Sequence, residues 1–193
     1  MPAAWRRSPR TRLCLRVALG HYQFETIHPY TDGNGRLGRL VALLQLIEEG
    51  LMRDHLMTIS GFLEADKPAY TGHLHHVRVS GDFDPWIRFF CRGLERSAVA
   101  SLKRIRQAQE IRRDAVAMLR AHGVRGAAIQ VAEDLVGYPL LTVQDVEQRY
   151  GITYQTANQA VTKLVDHGLL RQIIEGNYNR MFASTSILEV FRA

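Results

Sequence analysis

One histidine, one aspartate, three glycines and two arginines fall within residues 28–39, His-Pro-Tyr-Thr-Asp-Gly-Asn-Gly-Arg-Leu-Gly-Arg. His28 is the side chain there that can take a proton near neutral pH. Gly33 and Gly35 lack a Cβ, so the backbone can turn sharply and let a ligand approach its N–H groups. The apolar residues Leu37, Leu40, Val41, Leu43, Leu44, Leu46 and Ile47 then recur at helical spacing. The loop therefore delivers its N–H groups to a helix N-terminus, where the dipole and the unpaired donors favour an anion. Arg36 and Arg39 are three apart, share one face of the first turn, and present guanidinium forks suited to phosphate oxygens. Asp32 beside bound phosphates would be repulsive unless an oxygen-seeking cation such as Mg²⁺ lay between them. A base, a metal ligand and a phosphate cradle together point to chemistry at a nucleotide phosphate.

Other phosphate motifs fit less well. Gly33-x-Gly35-x-x-Gly38 has the spacing of a dinucleotide fingerprint, and Asp54 lies about twenty residues on. That fingerprint follows a buried strand directly, whereas Pro29 and Asp32 intervene here. No Gly-Lys-Ser/Thr follows, which excludes a P-loop. A lone histidine would read as a capped loop residue, but this histidine comes with the whole constellation.

The segment resembles the signature of the Fic (Fic/Doc) family, His-Pro-Phe-x-Asp/Glu-Gly-Asn-Gly-Arg-x-x-Arg, with Tyr30 in place of Phe. The likeness extends to residues 18–27, similar to the helix before the family loop, and to 81–90, similar to the start of its later helices. Residues 139–183 resemble the winged helix-turn-helix that often trails Fic domains in bacteria. The resemblance implies transfer of AMP from ATP to a Ser, Thr or Tyr hydroxyl of a protein. It implies that His28 deprotonates the hydroxyl and that Asp32 holds Mg²⁺ across the α- and β-phosphates. Gly33, Asn34 and Gly35 would line the anion hole, Arg36 would contact the β- or γ-phosphate, and Arg39 would sit at the γ-phosphate end, where family inhibitory glutamates also bind. Doc-like phosphotransferases carry Lys at the position of Gly35, so Asn34-Gly35-Arg36 favours nucleotidyl transfer. The rival reading is a regulator or scaffold that binds nucleotide without transferring it.

Two features of the family find no counterpart. Its β-hairpin flap, which aligns the target with the α-phosphate, precedes the motif; here residues 13–27 read as helical, so the chain is expected to be the C-terminal portion of a longer Fic protein. The inhibitory pattern Ser/Thr-x-x-x-Glu-Gly/Asn has only Glu49-Gly50 and Glu175-Gly176 as candidates, and Gln45 and Arg171 occupy their hydroxyl positions. No glutamate is therefore expected to compete for Arg39.

The expected fold is mainly α: a partial Fic-type helical core over 1–94, a helical connector over 95–138 and a winged helix-turn-helix with a small β-hairpin over 139–193. Thr142 with Asp145 makes a capping-box start for a helix to Tyr150. Gly151 supplies the turn, and Thr153 caps a second helix to His167 with Ala157, Val161 and Leu164 buried. Residues 170–174 and 180–184 read as a hairpin joined through Glu175-Gly-Asn-Tyr-Asn. Gln155, Gln159, Thr162 and Lys163 could face a groove.

The 193 residues are 46% hydrophobic and carry a formal charge of +6, enough for a real core. The charge is uneven. Residues 86–141 hold ten Lys/Arg against five Asp/Glu, on a stretch read as a long helix over 86–122, and residues 142–193 hold five of each. The basic stretch reads as a solvated helix face. The neutral C-terminal module has a DNA-binding shape without the charge that phosphate neutralisation demands, so DNA, a protein partner or a second copy of the chain remain open. Cys14 and Cys91 are too few for a disulfide framework and fit a reducing cytoplasm, and no apolar run reaches membrane-spanning length. The N-terminus is basic, with Arg6, Arg7, Arg10 and Arg12, and Arg16 interrupts the apolar stretch after it, which makes a poor secretory signal. His73, His75 and His76 raise a zinc reading, but without a fourth ligand they fit an exposed helix face. Tyr70, Leu74 and Val77 should form the buried side of that helix.

Overall fold

The computed structural model describes residues 9–52, 57–174, 176 and 180–192, with the side chains of 9–11 left aside. Arg6, Arg7, Asp54, and all of the expected hairpin turn except Gly176 lie outside the described residues. The chain is mainly helical with a small three-stranded antiparallel sheet near its C-terminus. It divides into two compact units, Met1–Leu102 and Lys103–Ala193.

The first unit contains α1 (Pro9–Ile27), α2 (Asn34–Glu48), α3 (Ser60–Ala65), α4 (Lys67–Ser80) and the first part of α5 (Asp84–Ala121). Its core joins Val17 and Ala18 of α1, Ala42 and Leu46 of α2, Leu63 of α3, Tyr70 and Val77 of α4, and Trp86, Ile87 and Phe90 of α5. Trp86 is fully buried and donates its indole N–H to the Ala18 carbonyl at 2.9 Å, so the large ring is buried without an unpaired donor. Leu74 packs partly buried against the same core, so the expected inner side of α4 holds.

The α2 helix packs differently from what its leucines suggest. Its buried face is Asn34, Gly38, Ala42 and Leu46, spaced by four, while Leu37, Leu40 and Leu44 are exposed. Small side chains at Gly38 and Ala42 let the helix backbone lie close to α1. A Cβ built on Gly38 would come within 2.5 Å of Glu25 Oε1 and 3.1 Å of His21 Cε1. A leucine stripe in that seam would hold the helices apart.

The α4 helix starts with Asp66 accepting from the Ala69 N–H at 3.1 Å, has Pro68 in its first turn, and stops at left-handed Gly81. On it, His73 lies 4.6 Å from the Phe89 ring and His76 is 3.9 Å from Asp82. Among the described residues no group of three or more His, Cys, Asp or Glu side chains could hold a metal ion, so the histidine triplet does not converge. Cys14 and Cys91, both free, share a hydrogen bond that lowers the Cys14 thiol to about 7.

The second unit takes the rest of α5, then α6 (Ala127–Asp134), β1 (Leu140–Thr142), α7 (Val143–Tyr150), α8 (Tyr154–Asp166), β2 (Arg171–Gln172), β3 (Met181–Ala183) and α9 (Thr185–Arg192). Its core runs from Val116 and Leu119 through α6 to Ala157, Val161 and Leu164 of α8 and Phe182 of β3. Thr142 caps α7 in a complete capping box with Asp145, Gly151 closes it in the left-handed region, and Thr153 caps α8. The two helices and the antiparallel β2–β3 pair match the expectation. The sheet gains a third strand that the sequence reading lacked: β1 pairs with β3, in the order β1-β3-β2, with Leu141 opposite Phe182. Leu140–Thr142 is too short to show an alternating pattern. The terminal α9, also unexpected, buries Ile187 and Val190 against Ala108. No helix among the described residues is long and apolar enough to cross a membrane.

Candidate active site

The loop between α1 and α2 has the form its sequence demands. Gly33 sits at φ 82 as the N-cap of α2, without a side-chain cap. The first backbone donor returned into the helix is Leu37 N–H, to the Gly33 carbonyl at 3.0 Å. The N–H groups of Asn34, Gly35 and Arg36 therefore end the helix unused by its own ladder, the arrangement that attracts anions.

Asn34 is 2% exposed, and its side chain does not face the opening. It accepts from the Tyr30 N–H at 3.0 Å and donates to the Tyr30 carbonyl at 2.5 Å. Both ends of one amide thus clamp the turn, while its backbone remains at the cavity wall. Tyr30 itself is 56% exposed.

Asp32 accepts from the Gly33 N–H at 2.6 Å and lies 3.7 Å from Arg36 Nη2. Its carboxylate stays almost fully open, a hard oxygen donor at the mouth of the site that could hold a divalent cation. His28 has φ 48, and no other non-glycine among the described residues has positive φ. A side chain held in the left-handed region carries strain of about 1–2 kcal/mol, and such outliers cluster at functional positions.

These residues converge. His28, Asp32, Gly33, Asn34, Gly35, Arg36 and Arg39 all line one cavity of about 390 Å³. Leu63, Glu64, Lys67 and Tyr70, from α3 and α4, complete its wall, and the sequence reading had not singled out their part in it.

Arg39 is not free. Its Nη2 donates to Glu64 Oε1 at 2.8 Å, and its Nε donates to Ser60 Oγ at 3.0 Å. The expectation that no glutamate would compete for Arg39 is thereby corrected. Glu49, one of the two candidates, pairs instead with Arg16 at 2.6 Å, and Glu175 lies outside the described residues. Ser60-Gly-Phe-Leu-Glu64-Ala65 has the hydroxyl and glutamate at the sought spacing, with Ala65 in place of Gly or Asn. Relaxing that last position would have found it.

Behind the cavity lies a buried polar group. His21 is fully buried, stacks on Trp86 at 5.9 Å and shares a 3.0 Å hydrogen bond with the Tyr70 hydroxyl. Burial lowers the His21 pKa below its ordinary value and raises that of Glu25. Tyr70 is held protonated, first by burial and then by the nearby Glu25 charge.

Residues 3–46 match the sequence model of the Fic/DOC family. Over those residues the chain is similar to that family. The Fic/DOC match ends inside α2, so it takes in α1, the loop and most of the helix that carries Arg36 and Arg39. The chain is similar to protein adenylyltransferase fic-1 of Caenorhabditis elegans, 38% identical over 86 residues, which is 42% of this chain and 15% of that protein. It is also similar to protein adenylyltransferase Fic of Nematostella vectensis, 39% identical over 86 residues, 45% of this chain and 18% of that protein. A probable protein adenylyltransferase of Aquifex aeolicus is 37% identical over 70 residues, 34% of this chain and 22% of that protein. Each match thus covers less than a quarter of the relative's own length.

Proposed function

We propose that this chain is a nucleotidyltransferase that moves AMP from ATP to a protein hydroxyl. The observation that carries the reading is the single cavity in which His28, Asp32, the open N-terminus of α2, Arg36 and Arg39 meet. The similarity to protein adenylyltransferases supports it.

In this reading the N–H groups of Asn34, Gly35 and Arg36 bind phosphate oxygens, and the Arg36 guanidinium contacts the β- or γ-phosphate. Asp32 would hold Mg²⁺, which would neutralise charge on the polyphosphate. His28 takes the proton of a Ser, Thr or Tyr hydroxyl. The hydroxyl oxygen bonds to the α-phosphorus, the bond from that phosphorus to the bridging oxygen breaks, and pyrophosphate leaves with the electron pair. Catalysis here consists of positioning and preorganised electrostatics. The second unit, with α7, α8 and the β2–β3 pair, serves as a winged helix-turn-helix partner module.

The test is incubation of the chain with ATP labelled on its α-phosphate and Mg²⁺. Covalent label on protein, lost in His28→Ala, supports transfer. Reversible binding without covalent label rejects transfer and leaves a nucleotide-binding regulator. One observation favours that second reading: Arg39, needed at the far end of a triphosphate, is already engaged by Glu64.

A further inference from the structure

Among the described residues two cavities meet at His28. One is the phosphate cradle. The other, about 430 Å³, is bounded by Glu25 and Thr26 at the end of α1, by His28, and by Leu74, His75 and Arg78 of α4. His28 is the residue common to both. A base that activates a hydroxyl must touch it, and the attacking oxygen approaches phosphorus from the side opposite the leaving group. A hydroxyl arriving through the cradle would have to pass the nucleotide filling it. The second cavity reaches His28 past residues that do not line the cradle, and its volume is in the range that holds a ligand of several side-chain groups.

Its walls carry a charge preference. Arg78 lies in the last turn of α4, is exposed, and makes no ion pair or side-chain hydrogen bond among the described residues. His75, three residues earlier, shares its helix face. Glu25 offsets them less than an open carboxylate would, because its side chain is only 10% exposed and burial raises its pKa toward the uncharged acid. Its Oε1 is buried without a hydrogen-bond partner, beside the spot that a Gly38 Cβ would fill. The accessible wall is therefore basic around an apolar patch at Leu74.

We propose that this second cavity is the target-side subsite, and that it takes a polypeptide segment whose hydroxyl side chain is flanked by Asp or Glu. The hydroxyl meets His28 and the neighbouring carboxylate meets Arg78. The inference rests on the AMP-transfer reading for its chemistry, and it is tested by binding alone.

The experiment uses the full chain without nucleotide and two fluorescent peptides, one with a tyrosine between glutamates and one with the same tyrosine between lysines. Anisotropy titration should show the acidic peptide binding tighter by about tenfold, and Arg78→Glu should reverse the preference. Calorimetry with ATP and Mg²⁺ should give the same affinity for Arg78→Glu as for the unaltered chain, since Arg78 does not line the cradle. Equal binding of the two peptides, or a preference indifferent to Arg78→Glu, overturns the subsite. A preference that reverses as expected, in a chain that never labels protein from ATP, upholds the subsite and rejects the transfer reading.

Discussion

Arg39 and Glu64 face each other across the phosphate cavity at 2.8 Å, and Ser60 holds the same guanidinium at 3.0 Å. A γ-phosphate arriving at Arg39 must displace the carboxylate. Glu64 is mostly exposed while the Arg39 side chain is largely covered, so the pair is partly screened. Glu64→Gln should therefore raise ATP affinity by only about threefold, equivalent to roughly 0.7 kcal/mol. Calorimetry checks this, and an unchanged or weaker affinity would show that the pair does not compete with nucleotide.

Asp32 and Arg36 should separate by their dependence on metal. Asp32→Ala should remove the gain in ATP affinity that Mg²⁺ gives, because the open carboxylate is the hard donor of the site. Arg36→Ala should cost about tenfold in ATP affinity with or without the metal, the worth of one exposed charge-assisted contact. Titrations at zero and saturating Mg²⁺ distinguish the two patterns.

His28 should reveal both its chemistry and its strain. His28→Ala should abolish protein labelling while ATP affinity stays within about twofold, since a base acts on the incoming hydroxyl. His28→Gly should be equally inactive, yet more stable than His28→Ala by about 1 kcal/mol in urea unfolding. A glycine meets φ 48 without the Cβ penalty, although its freer unfolded chain reduces the gain. Equal stability of the two variants would mean that φ 48 stores no strain.

Gly38→Ala tests the seam between α1 and α2. The added Cβ meets Glu25, His21 and Phe24, all within 3.1 Å. Overpacking of this kind costs about 1–3 kcal/mol, against the gain in helix propensity from glycine to alanine of about 1 kcal/mol. A net loss of stability is expected in thermal unfolding, and Glu25→Ala should relieve part of it. A more stable Gly38→Ala would show that the seam is loose.

The pH dependence has two opposed parts. His21 has a folded pKa below its ordinary 6.5, so the unfolded chain binds more protons as the medium acidifies, and stability falls as pH drops below about 6.5. Glu25 has a folded pKa above its ordinary 4.5, so it favours folding at low pH, and that contribution is lost as pH rises from about 4.5 through the folded value. Melting temperatures across pH 4–8 should therefore fall more steeply on the acid side of about 6.5 in Glu25→Gln than in the unaltered chain, where the two contributions oppose each other. Glu25→Gln should leave the His21 limb in place and remove the loss above about 4.5.

The sequence by itself determined the loop, because its requirements are local. Glycine at a left-handed N-cap, a base beside a proline, and two arginines one turn apart all act within twelve residues of chain. The same holds for α7 and α8, whose starts rest on Thr142, Asp145 and Thr153 and whose break rests on Gly151. Tertiary structure decided what stands opposite. Glu64 reaches Arg39 from 25 positions away, so the Ser60-x-x-x-Glu64 spacing could offer a candidate but only the fold sets it against Arg39. The burial of Gly38 and Ala42 in place of the leucines depends on how near α1 lies, and periodicity alone ranks leucine above glycine. The strand β1 exists because β3 returns to meet it, a pairing of residues 140–142 with 181–183. The second cavity beside His28 likewise needs α4 folded back to the end of α1, since Arg78 and Glu25 line it together only through packing.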